Sequence, residues 1–275
     1  MNKFLFSYAN TLVLQLVKLI RNRKQRVSPK RIHDFRLTVK RLRALIRLLN
    51  QLTNEQVNPK LNKSLRKIYT STGKLRDLHI HTILLKSIKE NSPYEVKRLS
   101  KSINKFEKKA KKKIDKSFKK LDSNSYNSLI SFFKEQENKN LEISKEICYQ
   151  FVENKHFKIR LLVGSSYEDI VLHEIRKHLK DIVYTLQLIQ NEDSNFVISA
   201  KNLNWLNNLQ ERLGLWNDWF TLHQMIINAN TTKQLYPQLE HIVGIEMEKS
   251  RLGIVNCLSK FCDLSLQNRN SNENK

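Results

Sequence analysis

Apolar residues recur along most of the chain at spacings of three and four positions, the period of an α-helix buried on one side. Capping residues precede a proline suited to the first helical position at Ser28-Pro29, Asn58-Pro59 and Ser92-Pro93. No segment alternates apolar and polar residues over the length of a strand. The pattern predicts an all-α protein with at least eight helices, beginning near residues 4, 29, 59, 93, 123, 166, 200 and 235.

Two short signatures each occur twice and in the same order, which indicates an internal repeat. The first has a histidine, an arginine and a lysine at helical spacing, and the second has a glycine and an aspartate four positions apart. The copies are His33-x-x-Arg36-x-x-x-Lys40 with His173-x-x-Arg176-x-x-x-Lys180, and Gly73-x-x-x-Asp77 with Gly214-x-x-x-Asp218. The repeat predicts two tandem helical bundles. They span residues 1–140 and 141–266, and a disordered tail follows over 267–275.

The composition agrees with helices and points to an anionic partner. Only 5 glycines and 4 prolines occur among 275 residues, which disfavours turn-rich β folds and glycine-rich phosphate loops. The net charge is +24, and it is unevenly placed: residues 1–140 carry a net charge of +25 and residues 141–275 a net charge of −1. Nucleic acid, inorganic polyphosphate and an anionic membrane surface all suit such a chain.

Cysteine usage and the N-terminal segment indicate the compartment. Three scattered cysteines are too few for a disulfide framework, so we expect a reduced cytoplasmic location. Polar residues interrupt the apolar segment 4–20, and no small-residue cleavage site follows it. We therefore interpret it as a packed amphipathic helix, and we expect no membrane span in the chain.

A row of cations on the second predicted helix lies between two apolar faces. At about 100° per residue, its members fall within an arc of about 80°, and apolar residues flank the arc on both edges. We call this set the cationic row: His33, Arg36, Lys40, Arg43 and Arg47. A solvated charged face would instead oppose a single apolar stripe. Since uncompensated buried cations are strongly unfavourable, the row predicts a wet groove that accepts a polyanion, and arginine forks suit phosphate oxygens.

The second copy of the repeat keeps the first three positions of the cationic row and lacks the last two. His173, Arg176 and Lys180 share one sector of a helix, but Val183 and Gln187 stand where the first copy has Arg43 and Arg47.

These motifs resemble the two repeats of CHAD domains (conserved histidine α-helical domains), over about residues 5–265. The similar stretches are 31–43, 172–180, Gly73-Lys74-Leu75-Arg76-Asp77-Leu78 and Leu213-Gly214-Leu215-Trp216-Asn217-Asp218. The resemblance implies two four-helix bundles around a basic cavity that binds inorganic polyphosphate, often with localisation to polyphosphate granules. The family's binding positions carry over to His33, Arg36, Lys40, Arg43, His173, Arg176 and Lys180. Departures fall in the second copy, where Asp181, Ile182 and Val183 stand in places that the family usually fills with basic residues.

Other basic residues complete the predicted polyphosphate site. Arg47 ends the cationic row, and Lys177 neighbours Arg176. Residues 97–120 form a lysine-rich amphipathic helix. It supplies a second wall of the groove, binds a membrane surface or nucleic acid, or is an ordinary solvated face. From it we assign Lys105, Lys108, Lys109 and Lys112 to the site.

Catalytic alternatives find little support in the sequence. No Ser-His-Asp arrangement, Cys-His dyad or phosphate loop is present. His33 and Asp34 point about 100° apart on a helix, and the cationic surroundings of Asp77, His79 and His81 oppose a metal. We therefore expect a protein that binds and does not catalyse, without metal or cofactor. Nucleic-acid binding through the same basic surface is the alternative, and the tryptophans at 205, 216 and 219 are assigned to the core.

Overall fold

The computed structural model describes residues 2–21, 28–53, 63–119, 124–139, 144–163, 167–192, 200–233 and 235–261. Within these ranges the chain forms nine α-helices and no strand. The helices are α1 (Asn2–Arg21), α2 (Pro29–Thr53), α3 (Lys63–Ser87), α4 (Pro93–Lys119), α5 (Asn124–Asn138), α6 (Lys145–Val163), α7 (Asp169–Glu192), α8 (Ala200–Lys233) and α9 (Pro237–Phe261). The predicted all-α class is confirmed. The Asn58-Pro59 start and the predicted tail over 267–275 lie outside the described residues.

Helix starts follow from capping chemistry. The Ser28 hydroxyl accepts a hydrogen bond from the Arg31 backbone N–H at 3.2 Å, immediately before Pro29. Helix α6 was absent from the predicted starts. It begins after Ser144, whose hydroxyl accepts a hydrogen bond from the Ile147 N–H at 3.4 Å. No proline marks this start, so the pattern of cap followed by proline could not find it.

The two copies of the repeat meet through the helices that carry the signatures. Consecutive helices pair as α1 with α2, α3 with α4, α6 with α7, and α8 with α9. Helix α2 also contacts α3 and α7, and α8 contacts α3 and α7, so these four helices form a closed ring of contacts. Since α2 and α3 correspond to α7 and α8 in the repeat, the ring places the two cationic helices side by side.

Two apolar clusters fill the interior. The first is built mainly on α1 and α2, and Leu188 and Ile189 of α7 join it. The second is built mainly on α7, α8 and α9, and it includes Leu84 and Leu85 of α3. Both clusters therefore draw on helices from either side of residue 140. The division into bundles at that residue stays a prediction.

Polar contacts join α3 and α4 to α8 and α9. Glu95 of α4 accepts a hydrogen bond from the Leu239 N–H in the first turn of α9, at 2.8 Å. Buried His81 of α3 lies 3.2 Å from the Thr221 hydroxyl, which donates to the Asp218 carbonyl. Burial lowers the pKa of His81 to about 4, so the imidazole is neutral and donates to Thr221 through Nε2.

Candidate functional site

The cationic row of α2 runs from a buried end to an exposed end. Apolar neighbours on both edges of the row, among them Phe35, Val39 and Leu48, are buried. Arg36 and Lys40 are partly buried, whereas Arg43 and Arg47 are exposed. The apolar residues that the helical pattern predicts on both edges of the row are therefore present. They place the middle of the row between packed helices.

Beside this row a cleft of about 350 Å³ opens between α2 and α7. Four helices contribute to its lining, and we refer to it below as the cleft. Its lining residues are Lys40, Arg43 and Arg47 of α2, Tyr69 of α3, Lys155 of α6, and Glu174, Lys177, His178, Lys180, Asp181 and Tyr184 of α7. Cations from both copies of the repeat thus face one space.

Carboxylates pair with only some of the cations that line the cleft. Asp181 pairs with Arg47 and lies 3.6 Å from the Lys155 ammonium, and Glu174 pairs with Lys177 at 2.5 Å. Among the described residues, no carboxylate lies within 4.0 Å of the side-chain nitrogens of three lining cations: Lys40, Arg43 and Lys180.

Burial and mutual repulsion act on the two lysines of this set. Burial, followed by the charges of Arg36, Arg176 and Arg76, lowers the pKa of Lys40 to about 8. Burial, followed by the charges of Arg176 and Lys40, lowers the pKa of Lys180 to about 6. The protein therefore disfavours the protonated forms of these two lysines, and a bound anion would favour them.

Arg176 lies deeper than the cleft lining. Burial lowers its pKa, and Asp218 only partly offsets this. Its Nε is buried without a hydrogen-bond partner among the described residues, as is the Nε of Arg36. The inner end of the cluster thus contains two largely desolvated guanidinium groups, those of Arg36 and Arg176.

Arg36 is held against α3 by the backbone. Its guanidinium donates to the Tyr69 carbonyl at 2.8 Å and lies 4.7 Å from the centre of the Tyr69 ring. A Cβ atom placed on Gly73 would lie 2.7 Å from Arg36 Nη1, so glycine allows the guanidinium to lie flat on the helix. This contact explains the glycine of the first signature. At Gly214 of the second copy, a Cβ atom would meet no heavy atom within 4 Å.

The two glycines allow a matched test. We expect Gly73→Ala to lower the free energy of unfolding by about 1 kcal/mol. Loss of the Arg36–Tyr69 hydrogen bond outweighs the helix propensity gained from alanine. Gly214→Ala should instead raise it by about 0.5–1 kcal/mol, because only the propensity changes. Urea unfolding followed by circular dichroism measures both. Equal stabilisation by the two substitutions would contradict the role of Gly73.

The aspartates of the second signature hold the copies together. Arg76 of α3 donates to both carboxylate oxygens of Asp218 in α8, at 2.7 and 3.1 Å, and lies 3.4 Å from Asp77. Desolvation raises the pKa of Asp77, although Arg76 opposes the shift. Asp218 therefore anchors a cationic neighbour from the other copy of the repeat.

The two repeat histidines lie outside the cleft lining. His33 is exposed at the start of α2. The ring of His173 packs 4.9 Å from Trp216 and 5.3 Å from Phe220, between centroids. Burial, then Arg176, lowers the pKa of His173, so it is neutral near pH 7. Their predicted contact with a ligand stays a prediction.

The four predicted lysines of α4 also lie away from the cleft. Lys105, Lys108, Lys109 and Lys112 are exposed, and none lines it. On the same helix, Glu107 accepts from Lys111 and pairs with His79 of α3 at 3.0 Å. These lysines form a solvated face, and their assignment to the binding site stays a prediction.

Sequence reasoning missed several lining residues. Lys155 carried no signal, because its helix was not foreseen. Asp181 follows Lys177, and Tyr184 follows Lys180, by four positions on α7, so its helical pattern could have found them. Tyr69 precedes Gly73 by one helical turn, and its ring lies under the guanidinium groups of Arg36 and Arg43.

Residues considered for other chemistry serve different contacts. His79 pairs with Glu107 and His81 with Thr221, so they do not converge with Asp77. Across the described part of the chain, no three metal-ligating side chains are grouped. Trp216 and Trp219 are buried and offer no face to a nucleobase. None of the described helices combines the length and apolar character needed to cross a membrane.

Similarity to known proteins identifies the family of this chain. No curated protein matches it. The crystal structure of the CHAD domain from the plant Ricinus communis is similar, with a TM-score of 0.71 over 97% of this chain and 93% of that chain. At 15% sequence identity, this structural likeness shows a shared fold alone. Residues 11–226 match the CHAD domain family, which confirms the resemblance drawn from the repeated signatures, and the chain therefore belongs to the CHAD domain family.

Proposed function

We propose that this protein binds inorganic polyphosphate in the cleft and does not catalyse a reaction on it. One observation carries the proposal. Three cations from two helices, Lys40, Arg43 and Lys180, face one cleft without a carboxylate within 4.0 Å among the described residues. Membership of the CHAD domain family supports the same function.

A phosphate chain suits this arrangement in charge and in shape. Its repeated anionic groups can meet several basic side chains at once, and a nearby phosphate favours the protonated, cationic forms of Lys40 and Lys180. The Arg43 guanidinium can bind two phosphate oxygens, while Lys40 and Lys180 supply point charges. Such binding releases counter-ions from the chain, so the affinity should fall steeply with salt concentration.

Nucleic acid is the competing ligand, and the cleft disfavours it. Stacking of bases needs exposed aromatic faces. Arg36 and Arg43 occupy the ring of Tyr69, and Trp216 and Trp219 lie in the core. We also propose that the protein is cytoplasmic and associates with polyphosphate granules.

Competition separates the two ligands. We expect long-chain polyphosphate to displace labelled duplex DNA and RNA at equal phosphate concentration and physiological salt. Displacement of polyphosphate by DNA would contradict the proposal. Steady release of orthophosphate in the presence of Mg²⁺ or Mn²⁺ would contradict its non-catalytic part.

A pair of charge-matched variants locates the site. Arg43→Gln should weaken polyphosphate binding about tenfold, because Arg43 lines the cleft and no carboxylate lies within 4.0 Å of its nitrogens among the described residues. Lys109→Gln removes the same charge from the exposed face of α4 and should weaken binding less than about twofold. Isothermal titration calorimetry measures both. Equal losses would indicate diffuse surface attraction in place of a defined site.

A further inference from the structure

The cleft contains an anion of its own at one end. Asp181 of α7 is buried, with 4% of its side chain exposed. Its carboxylate accepts hydrogen bonds from Arg47 Nε at 3.0 Å to each oxygen and from Arg47 Nη2. The Lys155 ammonium of α6 lies 3.6 Å from the second oxygen. One carboxylate thus joins α2, α6 and α7 through two cations that line the cleft.

The Asp181 carboxylate binds the two cations, Arg47 and Lys155, that a phosphate group would bind at this end of the cleft. A guanidinium fork binds a carboxylate and a phosphate with the same paired geometry, so the two anions exclude each other at Arg47. Removing Arg47 from Asp181 would leave a buried carboxylate with Lys155 as its cationic partner, which is strongly unfavourable. An incoming phosphate therefore meets resistance at this end of the cleft.

The other carboxylate of the cleft differs in this respect. Glu174 has 41% of its side chain exposed and pairs with Lys177 three residues later on the same helix. Water can solvate Glu174 when Lys177 turns away, and such exposed pairs contribute little. The resistance to a phosphate chain is therefore confined to the end formed by Asp181.

We propose that Asp181 acts as a built-in competitor that occupies Arg47 and Lys155 and confines a bound phosphate chain to the part of the cleft lined by Lys40, Arg43 and Lys180. The inference rests on the proposed function. It makes Asp181 a determinant of affinity and of how much of a polyanion the cleft can hold. It also removes Arg47 from the residues that contact the ligand in the native protein.

The test is a substitution that tightens binding. Asp181→Asn keeps the shape of the side chain and frees two cations, so polyphosphate affinity should rise about tenfold and fall more steeply with salt. Glu135→Gln, on the exposed surface of α5, changes the net charge equally and should alter affinity less than twofold. Arg47→Lys in the native background keeps a cation beside Asp181 and should change affinity less than about twofold, because Asp181 already holds that side chain.

The outcomes distinguish this inference from the proposed function. If the native protein does not bind polyphosphate in calorimetry, both fail. If it binds, and Asp181→Asn gives the same affinity as Glu135→Gln, the inference alone is overturned. Arg47→Lys covers the case in which Asp181→Asn fails to fold, since Arg47 is 42% exposed and the variant keeps a cation beside Asp181. A loss of about fivefold or more on Arg47→Lys would overturn the competitor role, because lysine lacks the fork that binds two phosphate oxygens.

Discussion

Replacing Lys180 with methionine is expected to stabilise the protein while weakening its binding of polyphosphate. In the folded protein the pKa of Lys180 is about 6, below its ordinary value of 10.5, because of burial and the charges of Arg176 and Lys40. Between these two values the unfolded chain holds a proton that the folded chain does not. Stability is therefore lost as the pH falls from 10.5 towards 6. Methionine fills a similar volume and removes this linkage.

We expect the free energy of unfolding at pH 7 to rise by on the order of 2 kcal/mol, as functional sites commonly reduce stability. Polyphosphate affinity should fall about tenfold, because a bound chain would otherwise re-protonate the lysine. Urea unfolding and calorimetry measure the two effects. Lys249→Met is the control, since Lys249 has 65% of its side chain exposed, pairs only with Glu246 on its own helix and does not line the cleft. Destabilisation by Lys180→Met would show that the lysine is not held under repulsion.

Polyphosphate affinity is also expected to fall as the pH rises from 6 to 9, by on the order of 100-fold. The lowered pKa values of Lys180, about 6, and Lys40, about 8, mean that both ammonium groups lose protons over this range in the free protein. The bound chain favours their charged forms, and its internal phosphates keep their charge throughout. Binding should therefore take up protons.

Calorimetry in buffers of different ionisation enthalpy measures that uptake. Arginine stays charged over the whole range, so the double variant Lys40→Arg with Lys180→Arg should bind with much weaker pH dependence. Binding of the native protein that is constant between pH 6 and 9 would contradict contact between the chain and these lysines.

The local pattern was enough for most of the helices. The capping serine before Pro29 and the flanking apolar positions of α2 act within one helix, and local rules predict what local interactions decide. Helix α6 escaped although Ser144 caps its start. The repeat signatures identified the family, since their order and spacing need no knowledge of contacts.

Which basic residues line the cleft depended on contacts between helices, and the spacing of residues along the chain does not encode such contacts. Arg36 and Arg47 belong to the same predicted row, yet one is held by the Tyr69 carbonyl and the other by Asp181, 134 residues away. The predicted α4 lysines share the charge of the cleft residues but lie on another surface. Side-chain charge is a property of the sequence, whereas its neutralisation depends on which helices become neighbours.

Residue type and the helical period, which is the same in every protein, were enough to predict an all-α chain, its duplicated signatures and the placement of cations between apolar faces of α2. Packing of distant helices brings α2 against α7, gathers Lys40, Arg43 and Lys180 around one cleft, and pairs Asp181 with Arg47 within it. No sequence pattern shows these neighbours, because electrostatic interactions depend on distance and burial, and both arise only when helices distant in the chain pack together.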